Sequence, residues 1–134
     1  MIEERDDTLE PSKEGTFTSS VLDRRLFIEF GEKATEVIDD DVYDLIVESL
    51  MGGVQTILIV KRSHPQDLCM NQVRVFGRKL GRLLCLHEAR LAMVNDPVDC
   101  YEAAMCNFAM QQGAKVFTTD TAREALLWLD GEIA

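Results

Sequence analysis

The chain has 134 residues, of which 46% are hydrophobic, and its formal net charge is −10 at pH 7. This length suits one folded domain with its own core and is too short for two. The negative charge argues against general nucleic-acid binding, because contacts with phosphate dominate that affinity. No stretch approaches the ~20 apolar residues of a membrane-spanning helix, so we expect no membrane span.

The first fifteen residues are polar and charged. Residues 1–14 contain six acidic and two basic side chains and lack the apolar segment of a secretory signal. We expect residues 1–15 to form a flexible acidic tail and residues 16–134 to form a single domain. The four cysteines contain no C-x-x-C pair that would favour zinc or a redox couple. Reduced thiols and a cytoplasmic location are therefore expected.

The domain begins with a pattern typical of a β-hairpin. Residues 16–22 and 25–30 are strand-like, and Asp23 and Arg24 lie where the chain can turn. A helix is predicted over residues 39–51, because its opening aspartates suit the positive end of a helix dipole. The helical spacing of four apolar residues predicts its inner face: Val42, Leu45, Ile46 and Leu50.

Residues 56–60 (TILIV) are the most hydrophobic short run. Their β-branched composition predicts a central strand that is buried on both faces. The next helix is predicted to begin at residues 63–65 and to present an apolar stripe as far as about Leu84. Gly77 and Gly81 form a G-x-x-x-G pattern in it. We expect this pattern to allow close contact with the sheet, with a neighbouring helix or across a dimer interface, since each helical glycine costs about 1 kcal/mol.

The clearest signal is a strand, a helix, a second strand and a second helix within residues 89–131. Asp96 and Pro97 are predicted to be the N-cap and the first residue of the first of these helices. Gly113 is predicted to end that helix in a left-handed conformation.

A short strand over residues 114–119 follows, and then Thr121 and Glu124 form a capping-box pattern before the last helix. The predicted order is therefore β-β-α-β-α-β-α-β-α. It indicates an α/β fold with a mixed, mostly parallel sheet of four or five strands, an N-terminal β-hairpin and four helices.

The order of elements and two sequence runs resemble the STAS domain, and more narrowly its small bacterial SpoIIAA-like members. LAMVNDPVDCYEAAM resembles the family's strand and following Asp/Pro-opened helix, with a Tyr-x-x-Ala-Met pattern. KVFTTDTAREALLWL resembles its closing strand and its helix ending in Ala-Leu-x-Trp-Leu. The resemblance is close over about residues 89–130 and only topological over 16–88. It implies a SpoIIAA/STAS-like regulatory or binding domain but no particular activity.

The chain departs from the phosphorylation-switched STAS proteins at one place. Those proteins carry an Asp-Ser-Ser-Gly-like motif just after the central strand, at the start of the next helix. Here the corresponding run is KRSHPQDLCMN, in which Ser63 is the only hydroxyl residue. We therefore do not expect a phosphorylation switch at this motif.

Four polar residues are predicted to share the carboxyl edge of the sheet, namely Ser63, His64, Asn95 and Asp96. Ligands bind at this edge in open α/β sheets, and helix N-termini attract anions. The sequence therefore predicts a ligand or partner site there. The alternative interpretation is that these residues only cap helices and form turns.

A row of arginines flanks this predicted site. Arg74, Arg78 and Arg82 are spaced by four and share one helix face. They belong to a segment, residues 61–90, with seven basic and two acidic residues in an otherwise acidic chain. Such a row can hold an anionic ligand or an acidic partner surface. The alternative is an ordinary solvated helix face.

The sequence contains no recognisable catalytic or metal-binding constellation. His64 and His87 have no partner at a useful spacing, and H-E-x-x-H is absent because residue 91 is leucine. The aspartates of residues 39–44 are reminiscent of response-regulator receivers. However, receivers need a further acid after the central strand, where this chain has Lys61. We expect neither a metal nor a cofactor.

The sequence thus favours a non-enzymatic regulatory module that binds a protein partner, forms a homodimer or senses a small anionic ligand. Two alternatives stay open. A carrier of a small anionic or lipid-like molecule needs a closed apolar cavity. An enzyme of unknown class needs a cleft of titratable groups with shifted pKa values. An interaction module needs instead an exposed apolar or charged patch.

Overall fold

A computed structural model describes residues 17–31, 40–62 and 69–133 of the chain. These residues form five strands and four helices in the predicted order. The strands are β1 (Phe17–Leu22), β2 (Arg25–Phe30), β3 (Thr56–Val60), β4 (Arg90–Val94) and β5 (Lys115–Thr119). The helices are α1 (Asp40–Met51), α2 (Met70–His87), α3 (Cys100–Met110) and α4 (Ala122–Leu129). The predicted acidic tail lies outside the described residues.

The strands form one sheet in the order β1-β2-β3-β4-β5. β1 pairs antiparallel with β2, and the other neighbouring strands pair in parallel. The prediction of a mixed, mostly parallel sheet with an N-terminal hairpin is confirmed. β3 lies in the centre of the sheet, and its residues Ile57, Leu58 and Ile59 are buried, as the hydrophobic run predicted.

The hairpin turn consists of two residues in the left-handed conformation. Asp23 has a φ of 53° and Arg24 a φ of 63°, and the strands pair without interruption up to Leu22 and Arg25. Two-residue turns of this kind match the twist of antiparallel strands, which explains why β1 returns directly alongside β2.

Alternate side chains of the strands point to opposite faces of the sheet, and the two faces are covered differently. One face packs against α1, α2 and α3, and the other packs against α4. The first face contributes Leu26, Ile28, Phe30, Ile57, Ile59, Leu91, Met93 and Val116 to the core. The second contributes Leu58, Ala92 and Val94, which pack against Ala125, Trp128 and Leu129 of α4.

Side chains from two strands anchor α4 at its C-terminal end. Arg90 donates to the Trp128 carbonyl oxygen at 2.8 Å, and Arg25 pairs with Asp130 at 2.5 Å. The Trp128 ring stacks on Phe117 with a centroid separation of 5.3 Å. Cations suit the negative end of a helix dipole, so these contacts fix α4 against the sheet.

α2 and α3 approach each other so closely that only glycine fits at two positions. A Cβ atom on Gly77 would lie 2.7 Å from the Met105 carbonyl oxygen, and one on Gly81 would lie 2.6 Å from the Ala109 carbonyl oxygen. The predicted close contact is therefore confirmed. It joins two helices of the same chain, so this pattern gives no support to a dimer interface.

The structure corrects the predicted start of α3. The N-cap is Asp99, which forms a capping box with Glu102, and the helix begins at Cys100. Asp96 and Pro97 precede it in the loop after β4, joined by a cis peptide bond. The prediction of Asp96 as the N-cap was wrong. Asp99 and Glu102, which form an Asp-x-x-Glu pattern, accept hydrogen bonds from each other's backbone N–H groups and start the helix three residues later.

One further helix start differs from the sequence prediction, and the capping box predicted for α4 forms only in part. α2 begins at Met70, after Cys69 in an extended conformation, and thus later than predicted. Thr121 caps α4 by accepting from the Glu124 N–H at 3.2 Å. The Glu124 carboxylate accepts a hydrogen bond from Thr119 at 2.6 Å, so only half of the predicted capping box forms.

None of the helices in the described ranges has both the length and the apolar character needed to cross a bilayer.

Replacing Gly81 with alanine should destabilise the protein by about 1–2 kcal/mol. The new methyl group would collide with the backbone of Ala109, and overpacking of this kind costs about 1–3 kcal/mol, which exceeds the gain in helix propensity. Urea unfolding followed by circular dichroism measures the loss.

Gly52→Ala is the matched control, because its nearest backbone atoms would lie at an ordinary 3.5 Å. The free energy of unfolding should then change by less than about 0.5 kcal/mol. Equal effects of the two substitutions would contradict the tight α2–α3 contact.

Candidate functional site

The carboxyl ends of β3 and β4 carry polar side chains that the fold buries. Lys61 directly follows β3, and Asn95 directly follows β4. Backbone pairing continues through both residues: the Lys61 N–H donates to Val94 at 2.8 Å, and the Asn95 N–H donates to Thr119 at 3.1 Å. The two side chains therefore leave the sheet edge from fixed backbone positions.

The Lys61 ammonium group forms a buried ion pair with Glu102 of α3. Nζ lies 3.4 Å from Glu102 Oε2, and the two side chains are 0% and 2% exposed. Among the described residues, Lys61 Nζ meets no acceptor at hydrogen-bonding geometry. The ion pair with Glu102 is thus what balances its charge, since an isolated buried charge is very costly.

Glu102 also links the strand ends to the start of α3. Its Oε2 accepts from Asn95 Nδ2 at 2.8 Å, and its Oε1 accepts from the Asp99 N–H at 3.2 Å. In return, Asp99 Oδ1 accepts from the Glu102 N–H at 2.8 Å. We call Lys61, Asn95, Asp99 and Glu102 the edge cluster. One carboxylate thereby joins β3, β4 and α3.

Burial shifts two pKa values in and beside the edge cluster. The pKa of Glu102 is raised by burial and to a smaller extent by the Asp99 charge, against the opposing hydrogen bonds and the Lys61 charge. Burial, with the Glu102 charge as a second cause, raises the pKa of Cys106 to about 12. The Cys106 thiol therefore stays protonated at neutral pH and is a poor nucleophile.

Because the pKa of Glu102 is raised, ionisation of this carboxyl lowers the stability of the folded protein. Below the ordinary pKa the Glu102 carboxyl is protonated, and its contribution to the stability of the fold is then fully present. This contribution is lost as the pH rises through the raised pKa. The edge cluster is thus not optimised for stability at neutral pH.

The structure describes two of the four residues predicted to share this edge. Asn95 is buried within the edge cluster, and Asp96 beside it is exposed. Ser63 and His64 lie outside the described residues. The sharing of this edge by Ser63 and His64 stays a prediction. Among the described residues, Lys61 is the polar residue that follows β3.

The predicted arginine row does not converge on the edge cluster. Arg74 is half-buried near the start of α2 and donates to Asn71 one turn away. Arg78 is half-buried as well, whereas Arg82 is exposed and its Nε lies 3.4 Å from Gln112 Oε1 beyond the end of α3. α2 runs from the carboxyl edge toward the opposite edge, so Arg74 is the one of the three arginines that lies nearest the carboxyl edge.

Sequence reasoning missed the charged members of the edge cluster. Two signals were available. Asp99 and Glu102 form an Asp-x-x-Glu pattern, but the neighbouring Asp-Pro pair was preferred as the helix start. Lys61 follows four consecutive apolar residues of a buried strand, residues 57–60, where a charged side chain needs a partner. The identity of that partner depends on how α3 packs, and no local pattern contains this information.

Three surface depressions in the described part of the chain have no residue of the edge cluster in their lining. One of about 430 Å³ follows the outer side of α1, one of about 300 Å³ lies over β1, β2 and β3, and one of about 230 Å³ lies near the end of α2. No group of three or more His, Cys, Asp or Glu residues in the described ranges is placed to hold a metal ion.

No family model, no curated protein and no solved structure matches this chain. The resemblance to SpoIIAA-like proteins therefore rests on the two sequence runs and on the topology.

Replacing Glu102 with alanine should destabilise the protein by about 3–5 kcal/mol, because it leaves the Lys61 ammonium buried without a counter-charge. The double variant Lys61→Met, Glu102→Gln removes both charges and keeps one of the two acceptor oxygens that serve Asn95 Nδ2 and the Asp99 N–H. It should regain at least half of the loss in urea unfolding. A double variant as unstable as Glu102→Ala would show that the ion pair is not the source of the effect.

Cys106 should resist alkylation in the folded protein. Its side chain is buried and its pKa is about 12, whereas Cys69, Cys85 and Cys100 are exposed. Iodoacetamide at pH 8 followed by peptide mass spectrometry should label those three first and Cys106 only after unfolding. Labelling of Cys106 at the rate of Cys100 would contradict its burial.

Proposed function

We propose that this protein is a non-enzymatic regulatory module of the SpoIIAA-like type that binds a protein partner at the carboxyl edge of its sheet. The single observation that carries the proposal is the edge cluster. It contains two buried charges, Lys61 and Glu102, and Glu102 bonds to both ends of the loop that joins β4 to α3.

The edge cluster holds both ends of this loop. Asn95 is bonded to Glu102 at one end, and Asp99 is bonded to Glu102 at the other. Between them, Asp96 and Pro97 are exposed. Buried ionic groups are weak contributors to net stability, and in some proteins they instead select one conformation. We infer that this cluster positions the loop.

A positioned loop supports binding for an energetic reason. Interaction residues commonly lie on loops that a rigid scaffold holds in place. A loop that is ordered before binding loses less conformational entropy when the partner arrives, which improves affinity. The exposed carboxylate of Asp96 and the guanidinium group of Arg74 supply charges of both signs around this edge. A partner surface with mixed charges fits it best.

The resemblance to SpoIIAA-like proteins supports a regulatory role of this kind. The fold has the hairpin, the mostly parallel sheet and the four helices that the resemblance implies. The run after β3 lacks the Ser-Gly pair of phosphorylation-switched members. The proposal therefore makes binding itself, and not phosphorylation at that motif, the regulated event.

Site-specific photo-crosslinking tests the proposal and captures a partner of any identity. A photoreactive amino acid at Asp96 or at Cys100, both exposed at the carboxyl edge, should give one discrete protein adduct in cells of the source organism. The same group at Gln111 or Lys115, exposed near the opposite edge, is the control. Adducts at no position, or equal adducts at all four, would refute a partner site at this edge.

Native mass spectrometry of the purified protein separates the proposal from its main alternatives. We expect masses of the bare chain or its oligomers only. A stoichiometric small molecule that survives purification would favour the carrier or the ligand sensor over a protein-interaction module.

A further inference from the structure

Two neighbouring helices on the same face of the sheet carry opposite charges. α1 contains four acidic and no basic residues: Asp40, Asp41, Asp44 and Glu48. α2 contains no acidic residue and carries Arg74, Arg78, Lys79 and Arg82. The chain has a net charge of −10, so an 18-residue helix without acidic residues differs strongly from the charge balance of the rest of the chain. Solubility alone requires no such separation of charge.

Both helices direct these charges outward. Val42, Ile46 and Leu50 form the buried side of α1, so Asp44 and Glu48 lie on its exposed side. The buried side of α2 likewise leaves Lys79 and Arg82 exposed. We call these two exposed surfaces the acidic ridge and the basic ridge. The ion pairs formed between described residues, such as Arg25–Asp130 and Arg62–Glu29, lie elsewhere in the fold.

Large apolar side chains accompany both ridges. Met51 at the end of α1 is 75% exposed, and Val75 and Leu86 on α2 are 54% and 78% exposed. The acidic ridge also borders the depression of about 430 Å³, whose lining includes Leu45, Val47 and Met51. Exposed apolar groups next to complementary charges are typical of protein-interaction surfaces.

The relative height of the two helices follows from one contact. The rings of Tyr43 and Phe76 meet edge to face at 6.2 Å, and Lys79 Nζ lies 4.0 Å from the Tyr43 ring centroid. Both helices run antiparallel to the strands they connect, and each rises about 1.5 Å per residue. Residue 43 is therefore level with residues 76–79 of α2.

The residues of the two ridges that lie at the same height follow from this contact. Asp44 is level with Lys79, Glu48 with Arg82, and Met51 with Leu86. Asp44 and Glu48 thus each have a base of α2 at the same height, and the exposed side chains of Met51 and Leu86 lie at the same height near the helix ends.

We propose that the acidic and basic ridges form a homodimer interface. A two-fold axis parallel to the helices, outside the helix layer and above the midline between α1 and α2, places α1 of each copy over α2 of the other. Residues at equal height then meet: Asp44 meets Lys79 of the second copy, Glu48 meets Arg82, and Met51 meets Leu86. The symmetry makes each contact twice, as in isologous dimers.

A second copy fits this surface better than an unrelated partner of one charge. An acidic partner would match the basic ridge and be repelled by the acidic one, and a basic partner would suffer the reverse. A second copy carries both ridges in the required arrangement. The interface lies on the helix layer and not at the carboxyl edge, so it does not rest on the proposed function.

Charge reversal tests the dimer by sedimentation velocity at low salt. Lys79→Glu with Arg82→Glu turns both ridges acidic, and Asp44→Lys with Glu48→Lys turns both basic. Each pair should raise the dimer dissociation constant at least about ten-fold, because attraction becomes repulsion at four places. Added salt should weaken the unaltered dimer, since screening shortens the range of these interactions.

Recombining the variants distinguishes the interface from a folding defect. An equimolar mixture of the two variants should form a heterodimer, because each ridge again meets its opposite. A chain that carries all four reversals should dimerise like the unaltered protein. Lys115→Glu with Arg123→Glu makes the same change in net charge away from the ridges and should leave the dissociation constant unchanged. A monomeric unaltered protein, or failure of the mixture to associate, would overturn the proposal.

Discussion

Strand order is the constraint on which the rest of this structure depends. Each parallel strand is added beside the preceding one in the same direction, from β2 to β5. Crossover connections have a fixed hand, so connections that always advance in one direction place their helices on one face. α1, α2 and α3 therefore share a layer, and α4 alone covers the other face. The same order brings the carboxyl ends of the parallel strands together at one edge.

The edge cluster and the helix layer use polar groups in different ways. At the edge, burial of Lys61 and Glu102 imposes a desolvation cost, and specific geometry offsets it: one carboxylate receives an ammonium group and two N–H donors. On the helix layer the charges remain in water, where each pair contributes little by itself. The first arrangement suits the positioning of a loop, and the second suits weak, salt-sensitive association.

The helix layer is held together by contacts that are unusually close. Gly77 and Gly81 allow the backbones of α2 and α3 to touch, while α1 meets α2 through the Tyr43 side chain and its partners. α3 is consequently fixed to α2 as well as to the sheet. Because Glu102 belongs to the first turn of α3, this packing also fixes the position of the carboxylate in the edge cluster.

The order of elements was predictable from local patterns. Hydrophobic runs such as residues 56–60, the Asp23-Arg24 turn and the glycine at 113 act through backbone preferences and burial that each segment carries by itself. The N-cap of α3 was not predicted correctly, because two adjacent patterns competed and only their packing distinguished them. The edge cluster was predicted only through Asn95. The sequence by itself determined which segments are strands and helices and that they alternate. Only tertiary structure decided that Lys61 meets Glu102 and that an acidic helix lies beside a basic one, because both depend on how distant segments pack and not on the spacing within any one of them.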